Sequence, residues 1–198
     1  QKGSGDLTQA TAANQPILWN GTYKCFSGAM HASGYGASGK YPALVFDATD
    51  VLARADNSGL GTGNPAFTFA SIAGMGPNQG AFEVGVGGAV GTRLIAFASD
   101  STHYRITDAT GSTVKTAVTT QKIHRVVYSK ANGANMNACA ISQDGVALST
   151  SSTTSNVLNL GNTGTQFIGD GLALHSGIMW NVDLPVASAA DTALVDAW

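Results

Sequence analysis

Met136-Asn137-Ala138-Cys139-Ala140-Ile141-Ser142-Gln143-Asp144-Gly145-Val146-Ala147-Leu148 holds two short strand-like runs hinged on an Asp-Gly pair. That pair supplies the positive φ angles a tight hairpin demands, so Met136–Ser142 and Val146–Leu148 are expected as antiparallel neighbours. Working outward, runs of the same length and texture recur on the N-terminal side: Lys122 to Tyr128, His103 to Ile106 and Thr92 to Phe97. Phe82-Glu83-Val84-Gly85-Val86 alternates so cleanly that Phe82, Val84 and Val86 should face inward and Glu83 should look at solvent. Pro65 to Ile72 follows the same rule, with Phe67 and Phe69 on one face, and Ala43-Leu44-Val45-Phe46 is a short apolar strand bounded by Pro42 and Asp47. On the C-terminal side, Ser149 to Asn156 is a hydroxyl-rich loop or exposed edge, and Gln166 to Asp170 and Gly177 to Val182 are closing strands. Ser188 with Asp191 three residues on reads as a capping-box-like start to a helix over Ala189–Trp198. The fold expected is an all-β, two-sheet antiparallel sandwich with one short C-terminal helix.

Composition agrees. Glycine, at 25 of 198 residues, is nearly twice its usual share of about 7% and punctuates the runs. Hydrophobic residues make up 43%, enough for one sizeable core, while charged residues are only 11% against about 25% in an average domain. Ser, Thr, Asn and Gly must therefore hydrate the surface, a pattern common in secreted and virion β-proteins. The net charge of −2 and scattered Lys and Arg offer no field for a phosphate backbone, so no nucleic-acid partner is expected. No apolar stretch reaches the roughly 20 residues of a membrane span, and no membrane partner is expected either. Cys25 and Cys139 fit neither a disulfide framework nor a metal knuckle, which leaves both pairing and free thiols open.

Four segments carry a family likeness. They are Gln9-Ala10-Thr11-Ala12-Ala13-Asn14-Gln15-Pro16, Gly39-Lys40-Tyr41-Pro42-Ala43-Leu44-Val45-Phe46-Asp47, Pro65-Ala66-Phe67-Thr68-Phe69, and Gly177-Ile178-Met179-Trp180-Asn181-Val182-Asp183-Leu184 with the segment that follows it. In this order and spacing the chain resembles the concanavalin A-like (laminin-G-like) jelly-roll domains of phage, prophage and bacterial surface proteins. Ala48 stands where that family usually has Gly, and the Trp-x-Asp strand that precedes the first segment in the family is missing. The resemblance thus implies a single domain over 1–198 that lacks its first strand and belongs to a longer chain. Such a fold hosts lectins, glucanases, lyases and structural modules, so chemistry must be sought in the residues.

A retaining glycosidase needs two carboxylates flanking one sugar bond, yet Glu83 is the only glutamate and no Asp-x-Asp pair occurs. Gln121-Lys122-Ile123-His124 has the residues of a lyase strand with one too many between them, so Gln121 and His124 would point to opposite faces. His124 is then a half-buried strand residue. Gly34-Tyr35-Gly36-Ala37-Ser38-Gly39-Lys40 imitates a phosphate loop, but Tyr41 replaces the hydroxyl residue and a strand follows where a helix should. His31, His103, His124 and His175 lack metal spacing, and Asp47 with Asp50 reads as a turn before it reads as a calcium site. No catalytic residue, metal or cofactor is expected.

The segment Asn20 to Ser38 is longer than the family's connection and sets Tyr23, Phe26, His31 and Tyr35 among Gly and Ser. Rings on an adaptable, charge-poor loop can stack on sugars or on partner chains. These four are the expected ligand-binding residues. The protein is accordingly expected to be a non-enzymatic glycan-binding or adhesion module of a virion or secreted protein. Its partners would be cell-surface or host glycans, other virion subunits or the rest of its own chain, with homo-oligomers compatible. A purely structural capsid or tail role and a polysaccharide-degrading enzyme are the alternatives.

Overall fold

The computed structural model describes residues 10–14, 17–19, 43–46, 51–56, 60–75, 79–85, 88–98, 102–108, 110–111, 113–117, 124–153, 155–162, 164–168 and 172–180. Among the described residues fourteen strands run in chain order: β1 Ile17–Trp19, β2 Ala43–Phe46, β3 Val51–Arg54, β4 Phe67–Met75, β5 Gln79–Gly85, β6 Arg93–Ala98, β7 His103–Asp108, β8 Thr113–Ala117, β9 His124–Lys130, β10 Ala140–Gln143, β11 Val146–Ala147, β12 Ser151–Ser152, β13 Thr165–Ile168 and β14 Leu172–Trp180. They form two seven-stranded sheets, ordered β1-β2-β14-β4-β9-β10-β11 and β12-β8-β7-β6-β5-β13-β3. Every pairing is antiparallel. The all-β sandwich is therefore as the alternation implied, while the helix expected over Ala189–Trp198 lies outside the described residues.

The period-2 pattern builds the core. In the first sheet Phe67 and Phe69 of β4 and Val126 and Tyr128 of β9 face inward; in the second, Phe82, Val84, Leu94, Ala96, Tyr104, Ile106 and Val114 do, all at 2% exposure or less. The sheets lock through rings: Phe69 stacks on Phe82 at 4.6 Å and on Tyr128 at 6.1 Å, and Tyr104 meets Tyr128 edge-on at 6.3 Å. Offset and edge-to-face contacts of this kind add about 1 kcal/mol each beyond area burial.

The hairpin forms where Asp-Gly requires it, with Asp144 at φ 52 and Gly145 at φ 83 and Gln143 opposite Val146. The run leading into it is corrected. Met136–Ala138 is a 3-10 turn, closed by Cys139 N–H donating to the Met136 carbonyl, and the strand begins only at Ala140. Met136 is pulled into the core at 0% exposure, because its N–H donates to the Asn156 carbonyl at 2.8 Å and not to a neighbouring strand. Cys139 is buried too, while Cys25 lies outside the described residues. The hydroxyl-rich stretch supplies the edge strand β12, with Ser151 opposite Lys115.

One end of the sandwich is closed by a polar knot. Asp108 ends β7 at 2% exposure. Its Oδ2 accepts from Gly91 N–H at 3.0 Å and Asn156 Nδ2 at 3.1 Å, and its Oδ1 accepts from Thr110 N–H at 2.9 Å. Gly91 in turn accepts the Asn159 N–H on its carbonyl at 2.9 Å. Glycine is required there: φ is +74, and a Cβ would strike the Val157 carbonyl oxygen and lie 2.9 Å from the Asn159 nitrogen. Nearby, Lys130 is buried at 1% exposure. Its ammonium donates to Asn64 Oδ1 at 2.8 Å, the Ala131 carbonyl at 3.0 Å and the Ala134 carbonyl at 3.2 Å, and sits 5.9 Å from the centre of the Phe67 ring. A buried cation is tolerable when oxygens and a ring face take the place of water.

Candidate functional site

The strands that send Phe82, Val84, Leu94, Tyr104 and Ile106 inward send the intervening residues to the outer face of the second sheet. Register places them in rows. Glu83 lies opposite Ile95 and Gln166, Ile95 opposite Thr107, and Thr107 opposite Thr113. In the adjoining backbone register Arg105 of β7 is paired with Phe97 of β6 and Lys115 of β8, and Lys115 with Ser151 of β12. Arg93 stands on the same face, two residues from Ile95, and His103 two residues from Arg105.

Glu83 is not a solvent-facing residue. It is only 4% exposed, and both of its oxygens are held by Arg93, Nε to Oε1 at 2.7 Å and Nη2 to Oε2 at 2.7 Å. The alternation assigned it to the correct face, but that face is not open water at the position: Glu83 sits on β5, well inside the sheet between β6 and β13, among neighbours that cover it. The paired fork is strong and geometrically rigid. Arg93 is 36% exposed along its side chain against 5% for Glu83, so the guanidinium is the accessible half of the pair.

A second constellation was not legible. His124 and Asp144, twenty residues apart, meet at 2.7 Å between Nδ1 and Oδ2, while the other Asp144 oxygen accepts the Arg125 N–H at 2.9 Å. The hairpin turn swings Asp144 back onto the start of β9, where its own N–H also donates to the Arg125 carbonyl. The carboxylate on Nδ1 fixes the orientation of the ring and leaves Nε2 as its second polar atom. That Nε2 is buried, as are Ser71 Oγ, Tyr104 Oη and Tyr128 Oη, and none of the four has a hydrogen-bond partner among the described residues. Ser71 lies opposite Val126, two pairs along from Ala73 opposite His124, with Ile72 opposite Arg125 between them, so hydroxyl and imidazole share the inner face of the first sheet. His124, read as a bare half-buried strand residue, is thus an oriented one.

Burial, and after it the negative charge of Asp144, pushes the Tyr104 phenol well above its usual range; burial, and after it Tyr104, does the same to Tyr128. A raised value means that the fold holds the neutral phenol. The two tyrosines therefore contribute stability that is fully present below about pH 10, where unfolded tyrosine ionises, and is lost as pH climbs beyond it. Alkaline titration followed at the phenolate absorbance should show Tyr104 and Tyr128 ionising only together with loss of the near-ultraviolet dichroism. Smooth ionisation of all five tyrosines ahead of unfolding would contradict this.

Tyr23, Phe26, His31 and Tyr35 lie outside the described residues, as do Asp47, Asp50, Gln121 and the phosphate-loop-like run 34–40. Among the described residues no three His, Cys, Asp or Glu side chains are grouped to hold a metal ion, and no helix is long and apolar enough to cross a membrane.

No protein-family model and no curated protein matches the chain. Solved structures of similar fold include domain 4 of an extracellular GH43 arabinanase from Geobacillus stearothermophilus in complex with arabinotriose. That match has 10% identity and a TM-score of 0.46 and covers 78% of this chain and 76% of that one. They also include a Trypanosoma rangeli sialidase in complex with the inhibitor DANA, at 10% identity and a TM-score of 0.43 over 78% of this chain, which spans 27% of the sialidase. At such identity the likeness is one of fold. One is a domain of an enzyme and the other an enzyme, and on that finding the expectation of a protein without enzymatic activity is corrected.

Proposed function

We propose that this chain is a glycan-binding module of the concanavalin A-like kind, working outside the cell on a phage particle or a secreted protein, and that it takes carbohydrate on the outer face of its second sheet. The Glu83–Arg93 pair carries the reading. A guanidinium locked by two hydrogen bonds at 2.7 Å presents its remaining N–H donors in a fixed plane, beside the partly exposed Ile95. Fixed donors next to an apolar surface are what a sugar ring, polar at its rim and apolar on its faces, requires. Donors already immobilised lose little freedom on binding. The low charge content and hydroxyl-rich surface support the same setting. The rings of Tyr23, Phe26, His31 and Tyr35 belong to the proposal as a second contact, on their chemistry alone.

An array of immobilised glycans probed with labelled protein tests this. Wild type should bind at least one glycan class. Arg93→Met should weaken that binding about 10-fold, the value of one charge-assisted hydrogen bond, and so should Tyr23→Ala combined with Tyr35→Ala. Thermal midpoints should move little in the tyrosine pair. Binding to no glycan would favour a purely structural decoration role instead, and undiminished binding in Arg93→Met would move the site elsewhere.

A further inference from the structure

Lys130 closes β9 directly opposite Phe67 at the start of β4, and the oxygens that receive its ammonium come from two separate pieces of chain. Asn64 Oδ1 lies just ahead of β4, while the Ala131 and Ala134 carbonyls belong to the turn that follows β9. These pieces are held by hydrogen bonds in which the lysine side chain takes no part. Asn64 donates its side-chain Nδ2–H to the Ala134 carbonyl at 3.1 Å, and that bond turns Oδ1 toward the ammonium. The main-chain carbonyl of Asn64 accepts the Gly133 N–H at 3.0 Å, so the segment and the turn are joined at two points. Ala134 N–H closes the turn on the Ala131 carbonyl at 3.2 Å, with Gly133 at φ +71, where glycine sits without strain. The cradle of oxygens is thus assembled by its own backbone and by Asn64.

We infer that Asn64, Ala131 and Ala134, beside the Phe67 ring, form a preorganised binding site for a primary ammonium ion, and that the Lys130 side chain is its built-in ligand. A primary ammonium carries three N–H donors and no acceptor, and the cradle meets it with oxygens at 2.8, 3.0 and 3.2 Å. The Phe67 ring, its centre 5.9 Å from Nζ, adds an attraction that a cation feels and a neutral group does not. At 1% exposure little water competes for these contacts. Acceptors already fixed in place lose little freedom when a ligand arrives, so the site does not depend on the tether that now delivers the ligand. Cutting the side chain back to Cβ therefore leaves a site for free propylammonium, which replaces Cγ, Cδ, Cε and Nζ atom for atom.

Lys130→Ala, refolded from denaturant with each probe present, tests this against Lys130→Met, whose apolar stem still fills the site. Both variants should melt about 10 °C below wild type, because buried carbonyl oxygens lose their donors. Propylammonium at about tenfold its half-saturating concentration should return about 4 °C to Lys130→Ala. Three further probes each lack one part of that ligand and should return much less. Potassium has the charge without the stem, propanol has the stem without the charge, and tetramethylammonium has the charge without an N–H. Wild type and Lys130→Met should respond to none of them. In wild type, the Nζ–H signal of Lys130 should remain visible at neutral pH in a proton–nitrogen correlation spectrum, since a shielded ammonium exchanges slowly. A gain of equal size in Lys130→Met, or from potassium, propanol or tetramethylammonium, overturns the inference. Loss of the Nζ–H signal to rapid exchange does so too. Failure of propylammonium to stabilise Lys130→Ala, or to let it fold, means that the cradle exists only with its tether, which also overturns it.

Discussion

Asp108→Ala is expected to lower the free energy of unfolding by about 4 kcal/mol, a large part of the roughly 5 to 15 kcal/mol that a domain of this kind possesses. The carboxylate accepts from Gly91 N–H, Thr110 N–H and Asn156 Nδ2 in a position that is 2% exposed. Alanine would leave these donors facing a void. Each buried donor without an acceptor costs about 1 to 3 kcal/mol. Asp108→Asn keeps one acceptor oxygen and should cost about half as much. Denaturant unfolding measures both, with amide exchange at Gly91 and Thr110 accelerated in each variant. A loss below about 1 kcal/mol in the alanine variant would mean that water replaces the carboxylate without difficulty and that the knot is not a structural tie.

Phe69→Ala is expected to cost about 4 kcal/mol, within the range for truncating a fully buried phenylalanine. Phe69 is 1% exposed and lies on β4, the strand between β14 and β9. Its ring touches Phe82 of the opposite sheet and Tyr128 of its own. Removing it opens a cavity between the sheets and breaks two ring contacts at once. Phe69→Leu fills much of the same volume and should recover at least half of the loss. Equal stability of the alanine and leucine variants would show that the neighbouring rings collapse into the gap and that the stack is not what joins the layers.

The fold was legible wherever backbone chemistry speaks locally. Asp144-Gly145 could form only a tight turn, and Phe67, Phe69, Phe82 and Val84 announced their face by alternation. Thr113–Ala117 escaped notice because its inward residues, Val114 and Thr116, do not form an apolar run; the Thr116 hydroxyl is satisfied by donating to the Ser149 carbonyl. Met136–Ala138 looked extended because a single apolar side chain in a 3-10 turn buries as well as one in a strand. Alternation says to which side a residue points, but not what lies over that side, and so Glu83 was placed facing water. The candidate site was less legible than the fold. Arg93 reaches Glu83 across a strand pair, and Asp144 reaches His124 across a hairpin. Each meeting is set by register, and register is decided by the whole sheet.

The place of β14 has a consequence for how the protein is made. In the first sheet β2 and β4 do not touch; each pairs with β14, which lies between them. A ribosome that has finished β4 at Met75 must add almost a hundred further residues before Leu172 begins to appear, roughly 5 to 20 seconds at ordinary elongation speeds. Throughout that interval the nascent chain carries one flank of β4 with its N–H and C=O groups uncovered, next to some of the most apolar residues of the core. Neighbouring ribosomes on one message would present identical flanks to each other, the geometry in which strands of two chains join. Slow elongation between Gly76 and Gly171 should therefore raise the aggregated fraction, whereas a pause after Trp180 should not.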